Sequence, residues 1–462
     1  MTKVDRTRLP DLGQESQFTF PVIQSHCLSN GLNLRTVEHR SVPVITFHLQ
    51  VWAGLGFDPS GLAGLAGITA DMLDEGTGKL SALKISEALA DIGAEFNIDV
   101  GPDVTNVSLT TLTRFSDEGA TLLADLVTSP SLRDEDFKRV RQLRLDRLRQ
   151  LNDVPPAVAE RVFLRLLYQD HPYGHLSIGS EQTLRAMQLE DVQQFHLQTY
   201  RPENATLIVV GAESNSTLLA IAERTFGHQW QQRTPSSMKR RRPPDSHNLT
   251  STVRLAVVPR DQAPQSHVRI GQLSAKRNSP DYPAIVVMNR ILGGDFVSRI
   301  NLNLREDKGY TYGARTGFDW RCGPAPFSLE VAVDSRATVD AIQESIFELS
   351  AIRGSRPTTN KELMVAKASL TRGYPRSFET ARSIVHRVAQ LTQYDLPDKY
   401  FEEFVRSVSA VEIDDVTQVA NTYLQPDQLI TLIVGDQKLI ASSVESLGLG
   451  KPVVLSPEGL TS

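Results

Sequence analysis

Two histidines four residues apart, His171 and His175, have the spacing at which a helix aims two imidazoles at one metal ion. Pro172 and Gly174 lie between them and forbid that helix, so the segment reads as a structural turn. A second pair, Arg305 and Tyr312, combines a permanent cation with a phenol donor. Such groups can donate hydrogen bonds to an oxygen that gains charge. Taken alone, the pair reads first as an arginine at a helix C-terminus and a tyrosine packed in a sheet. Cys27 and Cys322 are far apart and lack any CxxC spacing, which excludes a disulfide framework and argues against a cysteine zinc site. The chain has neither a phosphate-binding glycine loop nor a Gly-x-Ser-x-Gly nucleophile turn.

The elements that carry these residues follow from periodicity and punctuation. Pro283 to Leu292 is an apolar helix broken by Gly293-Gly294, and Ser298 to Leu304 continues as helix. Arg305 to Gly309 then turns into a strand from Tyr310 to Phe318. In the first half, the strand Val44 to Trp52 leads through the loop Phe57-Asp58-Pro59-Ser60 to Gly61-Leu62-Ala63-Gly64-Leu65-Ala66-Gly67-Ile68 and a helix through Leu73, with Glu75-Gly76-Thr77 as its exit.

The order of elements occurs twice. A helix from Leu189 to Tyr200 precedes the strand Thr206 to Gly211, and half a chain later a helix from Ile413 to Tyr423 precedes the strand Ile430 to Gly435. Asp134-Glu135-Asp136 and Asn360-Lys361-Glu362 open long helices with acidic first turns, which suit the positive end of the helix dipole. Each is followed by a second helix, Ala157 to Tyr168 and Phe378 to Leu391. The strands Val107 to Leu112 and Phe327 to Val333 alternate in polarity, which implies one face against helices and one face wet. These repeats predict an α+β protein of two homologous domains, each a mainly antiparallel sheet covered by helices. The expected boundaries are 1–232 and 252–462, joined by a linker over 233–251 that holds the basic run Lys239-Arg240-Arg241-Arg242 among Pro and Ser.

At 462 residues the chain exceeds what one core serves, in agreement with two domains. A net charge of -5 argues against nucleic acid as a partner, since phosphate binding needs an excess of Lys and Arg. Met1 to Gln17 lacks the apolar region of a secretory signal, and no run of roughly 18 apolar residues predicts a membrane span. The chain reads as a soluble protein, cytoplasmic by default, with its compartment left open.

The Gly61-Leu62-Ala63 entry, the Glu75-Gly76-Thr77 exit and the Leu-Arg-Glu-x-Lys-Gly-x-x-Tyr-Gly run from Leu304 to Gly313 resemble the pitrilysin/insulinase family of zinc metallopeptidases, which includes the mitochondrial processing peptidase and its bacterial relatives. The resemblance spans roughly residues 20 to 440. It implies half of a clamshell that closes with a homologous subunit around an unfolded peptide, the peptide adding a strand to a sheet edge. Active members carry His-x-x-Glu-His on the first-half helix, two ligands and the base that activates the metal-bound water. The matching positions here are Gly64, Gly67 and Ile68. The third ligand, a glutamate, should fall within 139–149, a stretch without any Glu, and the alignment puts Arg147 at that position. The resemblance also implies that Arg305 and Tyr312 hydrogen-bond the substrate carbonyl and the developing oxyanion opposite the zinc. Gln265 matches a common family position of undefined role.

These features imply the non-catalytic subunit of a heterodimeric zinc peptidase. No cofactor is expected in this chain, and zinc is expected in a homologous partner whose site Arg305 and Tyr312 complete in trans. The alternative is a structural or peptide-binding protein of the same fold with no role in proteolysis. An independent enzyme with its own site is the least favoured reading.

Overall fold

The computed structural model describes Thr7 and residues 19–230, 249, 251–441 and 443–461. Two six-stranded sheets carry the fold. The first contains β1 (Gln24–Cys27), β2 (Asn33–Glu38), β3 (Val44–Val51), β4 (Glu95–Val100), β5 (Thr105–Leu112) and β6 (Ala205–Gly211), in the order β1-β2-β6-β3-β5-β4. The second contains β7 (Leu255–Pro259), β8 (Gln265–Leu273), β9 (Ala314–Phe318), β10 (Pro326–Asp334), β11 (Ile430–Gly435) and β12 (Val453–Val454), in the order β12-β7-β11-β8-β10-β9. Apart from the outer strands β1 and β12, the two orders superpose strand for strand. In each, the last long strand of the half inserts between the first, parallel to it, and the second, antiparallel to it. The duplication is therefore one of topology as well as of sequence.

β6 reads ATLIVVG and β11 reads ITLIVG, continuous apolar runs buried at every position. Such runs require cover on both faces of the sheet. Each domain's own helices supply one face: Leu49, Val107, Leu207 and Val209 share a core with the helix Ser116–Thr128 in the first domain. The other face is covered by the opposite half. The helix Ala381–Gln393 of the second half lays Ile384, Val385 and Val388 against Val37, Ile208 and Val210. Reciprocally, Val158, Val162, Phe163 and Leu167 of the helix Pro155–Tyr168 pack on Ala256, Val258, Leu432 and Val434 of the second sheet. Each such side chain removed from water contributes roughly 1.5–3 kcal/mol, so the exchanged helices bind the halves together.

A buried polar hub fastens the same junction. Asp103, on the β4–β5 turn, accepts from the Tyr173 hydroxyl, from the Cys322 amide at 3.0 Å and from Gln393 Nε2 at 3.3 Å. Arg321 is fully buried and donates to the Tyr173 carbonyl (3.2 Å) and to Asp319 (2.7 Å). The His171-Pro172-Tyr173-Gly174-His175 segment is a single 3-10 turn whose tyrosine serves this hub, and His171 Nδ1 accepts from the Tyr173 amide at 3.1 Å.

Three expectations need correction. β5 and β10 do alternate, but the positions between their buried residues are half-buried, not fully wet. The strand expected from Tyr310 begins only at Ala314, since Gly309 at φ +66° and a turn in which the Thr311 hydroxyl bonds Gly313 hold 309–313 out of the sheet. The helix expected over 298–304 is a short α turn, Arg299–Asn301, running into a π-helical turn, Leu302–Asp307. The basic run Lys239–Arg242 and nearly all of the expected linker lie outside the described residues. No helix among the described residues is long and apolar enough to cross a membrane.

Candidate functional site

The chain has two places where the family resemblance puts chemistry, one in each half. The first is the helix Leu65–Asp71. Asp58 organises its start: its buried carboxylate accepts from the amides of Gly64 and Ala66, both at 2.7 Å, and from His175 Nε2 at 2.8 Å. Burial raises the Asp58 carboxyl to about 7 against the pull of those amides, and burial lowers the His175 imidazole to about 4. His175 is thus a neutral partner of a helix cap.

Of the three positions on this helix, Ile68 is fully buried in the first core. Gly64 holds φ +94°, and a Cβ there would lie 2.7 Å from the Gly179 Cα. At Gly67 a Cβ would come closer than 3.0 Å to both the Ser177 carbonyl oxygen and the Arg144 guanidinium. The space directly against Gly64 and Gly67 is filled. Arg144, buried in the helix Asp134–Asn152, reaches across to donate to the Asp71 carboxylate and the Ser177 carbonyl. The arginine placed against this helix is therefore Arg144, whereas Arg147 is exposed one turn further on and donates to Gln150 at 3.3 Å. A signal for Arg144 did exist: it falls in the stripe Phe137, Val140, Arg144, Leu148 that forms the helix's buried face.

These residues do not fit zinc. Two glycines and an isoleucine offer no donor, and a guanidinium repels a cation. Among the described residues no group of three or more His, Cys, Asp or Glu is arranged to hold a metal ion. An open cavity of about 490 Å³ remains beside the helix, bounded by Asp71, Asp74, Glu75, Arg144, Arg147 and the edge strand β4 at Phe96 to Ile98. Burial raises the Asp74 carboxyl, and Glu75 and Asp71 add to the effect.

The second place is the loop after the helix Tyr282–Leu292. Gly293 and Gly294 are required by close approach: Cβ atoms there would meet Thr316 Oγ1 at 2.6 Å and Asn289 Nδ2 at 2.8 Å. The loop is braced on three sides. Asp295 accepts from the Ser369 hydroxyl at 2.9 Å, Asn301 Nδ2 bonds the carbonyls of Asp295 and Ala314 at 3.0 and 2.8 Å, and Arg299 forks onto Glu362 at 2.6 and 2.8 Å. Burial opposes ionisation of Glu362, yet the hydrogen bonds from Arg299 and Thr359 hold its carboxyl down to about 2.

Between these anchors Phe296 and Val297 stand in solvent, 69% and 55% exposed. Tyr312 is 96% exposed. Arg305, in contrast, is withdrawn. Its side chain is 12% exposed, paired with Glu306 at 2.6 Å, and its guanidinium carbon lies 3.3 Å from the centre of the Phe296 ring. A cavity of about 640 Å³ opens beside the loop, bounded by Gly293 to Phe296, Gly313, Arg315, His267, Arg269 and Glu330. Neither Arg305 nor Tyr312 lines it, although Phe296 and Gly313 beside them do. Gln265 is exposed at the start of β8, opposite Asp334. The sequence offered no signal that Phe296 would cover Arg305, because Phe296 precedes the helical turns that carry Arg305 and a spacing of nine residues from outside a helix into it carries no periodic relation.

Comparison with known proteins agrees with this architecture. Residues 36–180 match the family model described as Insulinase (Peptidase family M16), and residues 186–370 match the model described as Peptidase M16 inactive domain. An uncharacterised zinc protease of Mycobacterium bovis is 26% identical over 85% of this chain and 89% of its own length. The non-peptidase homolog YmxG of Helicobacter pylori is 21% identical over 87% and 91%. The crystal structure of a peptidase M16 inactive domain from Pseudomonas fluorescens superposes with a TM-score of 0.82 at 25% identity, covering 90% of this chain and 98% of that one. With both halves matched in order and the fold shared throughout, the chain belongs to the M16, insulinase-type, peptidase family as a member without the family's zinc ligands.

Proposed function

We propose that this chain is the non-catalytic subunit of a heterodimeric M16 metallopeptidase, forming half of a clamshell with a homologous zinc-bearing subunit. The metal chemistry belongs to that partner. This chain's part is to bring Arg305 and Tyr312 toward the peptide carbonyl as it gains negative charge, where a guanidinium and a phenol donor stabilise the oxyanion. The unfolded peptide would pair with an exposed sheet edge.

One contrast carries the reading. The Gly64 and Gly67 face of the first-half site is packed by Arg144 and the Ser177 carbonyl, while in the second half the 293–301 loop is braced and Tyr312, on the nearby 309–313 turn, stands almost wholly in water. A tyrosine in that position adds nothing to the core, so its aromatic donor is available to something outside the chain. The test mixes the chain with a zinc-bearing homologue and follows peptide cleavage. Arg305→Ala and Tyr312→Phe should each lower kcat by about 10²–10³, the cost of one oxyanion donor. Turnover that ignores both substitutions refutes the role.

A second reading, a structural or peptide-binding protein without any part in proteolysis, is favoured by one observation: Arg305 is paired with Glu306 and stacked on Phe296, as a purely structural arginine would be. It predicts peptide binding but no cleavage with any zinc-bearing homologue.

A further inference from the structure

Arg305 leaves one part of its guanidinium unused. Nε donates to Glu306 at 2.8 Å and Nη2 donates to the Phe296 carbonyl at 3.3 Å, but Nη1 is buried with no acceptor. A buried charged donor without a partner is costly, and proteins keep few of them. The ring that buries it is Phe296, which gives most of its own surface to water to do so.

The surroundings confine any movement to Phe296 and Val297. On the chain's N-terminal side, Asp295 is tied to Ser369 and Asn301. On the other side, Ser298 and Arg299 are buried, and Arg299 is held by Glu362 and by the carbonyls of Arg356 and Pro357. The cavity of about 640 Å³ that Phe296 lines gives its ring somewhere to go. Arg305 itself sits on a π-helical turn, a local irregularity often kept where a side chain must be presented.

We infer that Phe296 is a positioning residue for Arg305: its ring covers the guanidinium in the free subunit and leaves it when a peptide enters, so that a peptide carbonyl takes up the unused Nη1. The inference rests on the subunit reading above and adds the element that controls when Arg305 becomes available. Covering makes Arg305 competent in only a fraction of molecules, which weakens apparent peptide binding by that fraction. Removing the ring removes that loss.

The experiment has two arms. In the isolated chain, modification of Arg305 by phenylglyoxal is followed by peptide mass mapping. Phe296→Ala should speed it on the order of tenfold, within the range a desolvated cation–π contact spans. Phe296→Tyr, which restores the stack, should label as slowly as wild type, and Arg299, buried on Glu362, serves as the internal control. In the complex with a zinc-bearing homologue, Phe296→Ala should lower KM more than it alters kcat, and Phe296→Tyr should restore the wild-type KM. Equal labelling of Arg305 in wild type and Phe296→Ala overturns the inference, as does a kcat that falls while KM stays fixed. If labelling responds as expected but Arg305→Ala leaves turnover unchanged, the cover stands and the subunit reading fails.

Discussion

Filling the first-half site with a single methyl group is the sharpest test of the structure. In Gly67→Ala the new Cβ would lie closer than 3.0 Å to the Ser177 carbonyl oxygen and to the Arg144 guanidinium. Two effects oppose each other. Alanine in a helix interior gains roughly 1 kcal/mol over glycine. Overpacking against neighbours that cannot retreat costs about 1–3 kcal/mol, occasionally more. Here the overlap wins, because one neighbour is backbone and the other is pinned to both Asp71 and Ser177. With the overlap cost at the upper end of that range, the net destabilisation reaches about 2 kcal/mol, roughly a thirtyfold loss in the folded-to-unfolded ratio, read by urea unfolding. Most of that loss should persist in the Arg144→Ala background, which frees the guanidinium but not the Ser177 carbonyl. The same overlap predicts that Gly64→His, Gly67→Glu, Ile68→His and Arg144→Glu together do not bind zinc, since Gly64 also holds φ +94°. A Gly67→Ala chain as stable as wild type, or tight zinc binding by the fourfold variant, would mean that the 177–179 segment does not close this site.

Further outcomes follow from the junction and the buried titratable groups. Burial, helped by His386, lowers His48 to about 3, and burial lowers His175 to about 4; both folded values lie below the unfolded value near 6.5, so their stability is present above pH 6.5 and is lost as pH falls, by up to ~1.4 kcal/mol per unit for each group. Asp58, raised to about 7, has the opposite sign and favours the fold on the acid side, so urea unfolding between pH 6.5 and 5 should steepen in Asp58→Asn and flatten in His48→Gln; parallel curves would contradict the assignment. Ile384→Ala should cost ~2–4 kcal/mol and speed amide exchange in β6, which belongs to the other half; loss of protection confined to the second sheet would disprove the exchanged-helix packing. Asp58→Ala leaves the amides of Gly64 and Ala66 and His175 Nε2 without their acceptor, and should destabilise by ~1–3 kcal/mol in the same unfolding assay.

The order of elements in both halves, the continuous apolar strands and the absence of zinc ligands at Gly64, Gly67 and Ile68 are properties of residue type and local spacing, and they were legible before any coordinates. What lies across a face is not local. The apolar runs of β6 and β11 announce cover on both sides, but only packing decides that each outer cover comes from the opposite half. The same limit explains the arginines of the helix Asp134–Asn152. Composition shows a stretch over 139–149 rich in arginine and without glutamate, whereas the helix's rotation against its neighbours turns Arg144, not Arg147, onto the first-half helix. Arg305 and Tyr312 are seven residues apart in the chain, yet a π-helical turn and a positive φ at Gly309 send one beneath a phenylalanine ring and the other into water. Sequence spacing encodes which groups are present and which element carries them; the burial and direction of each group depend on contacts from distant chain segments, which a one-dimensional pattern does not contain.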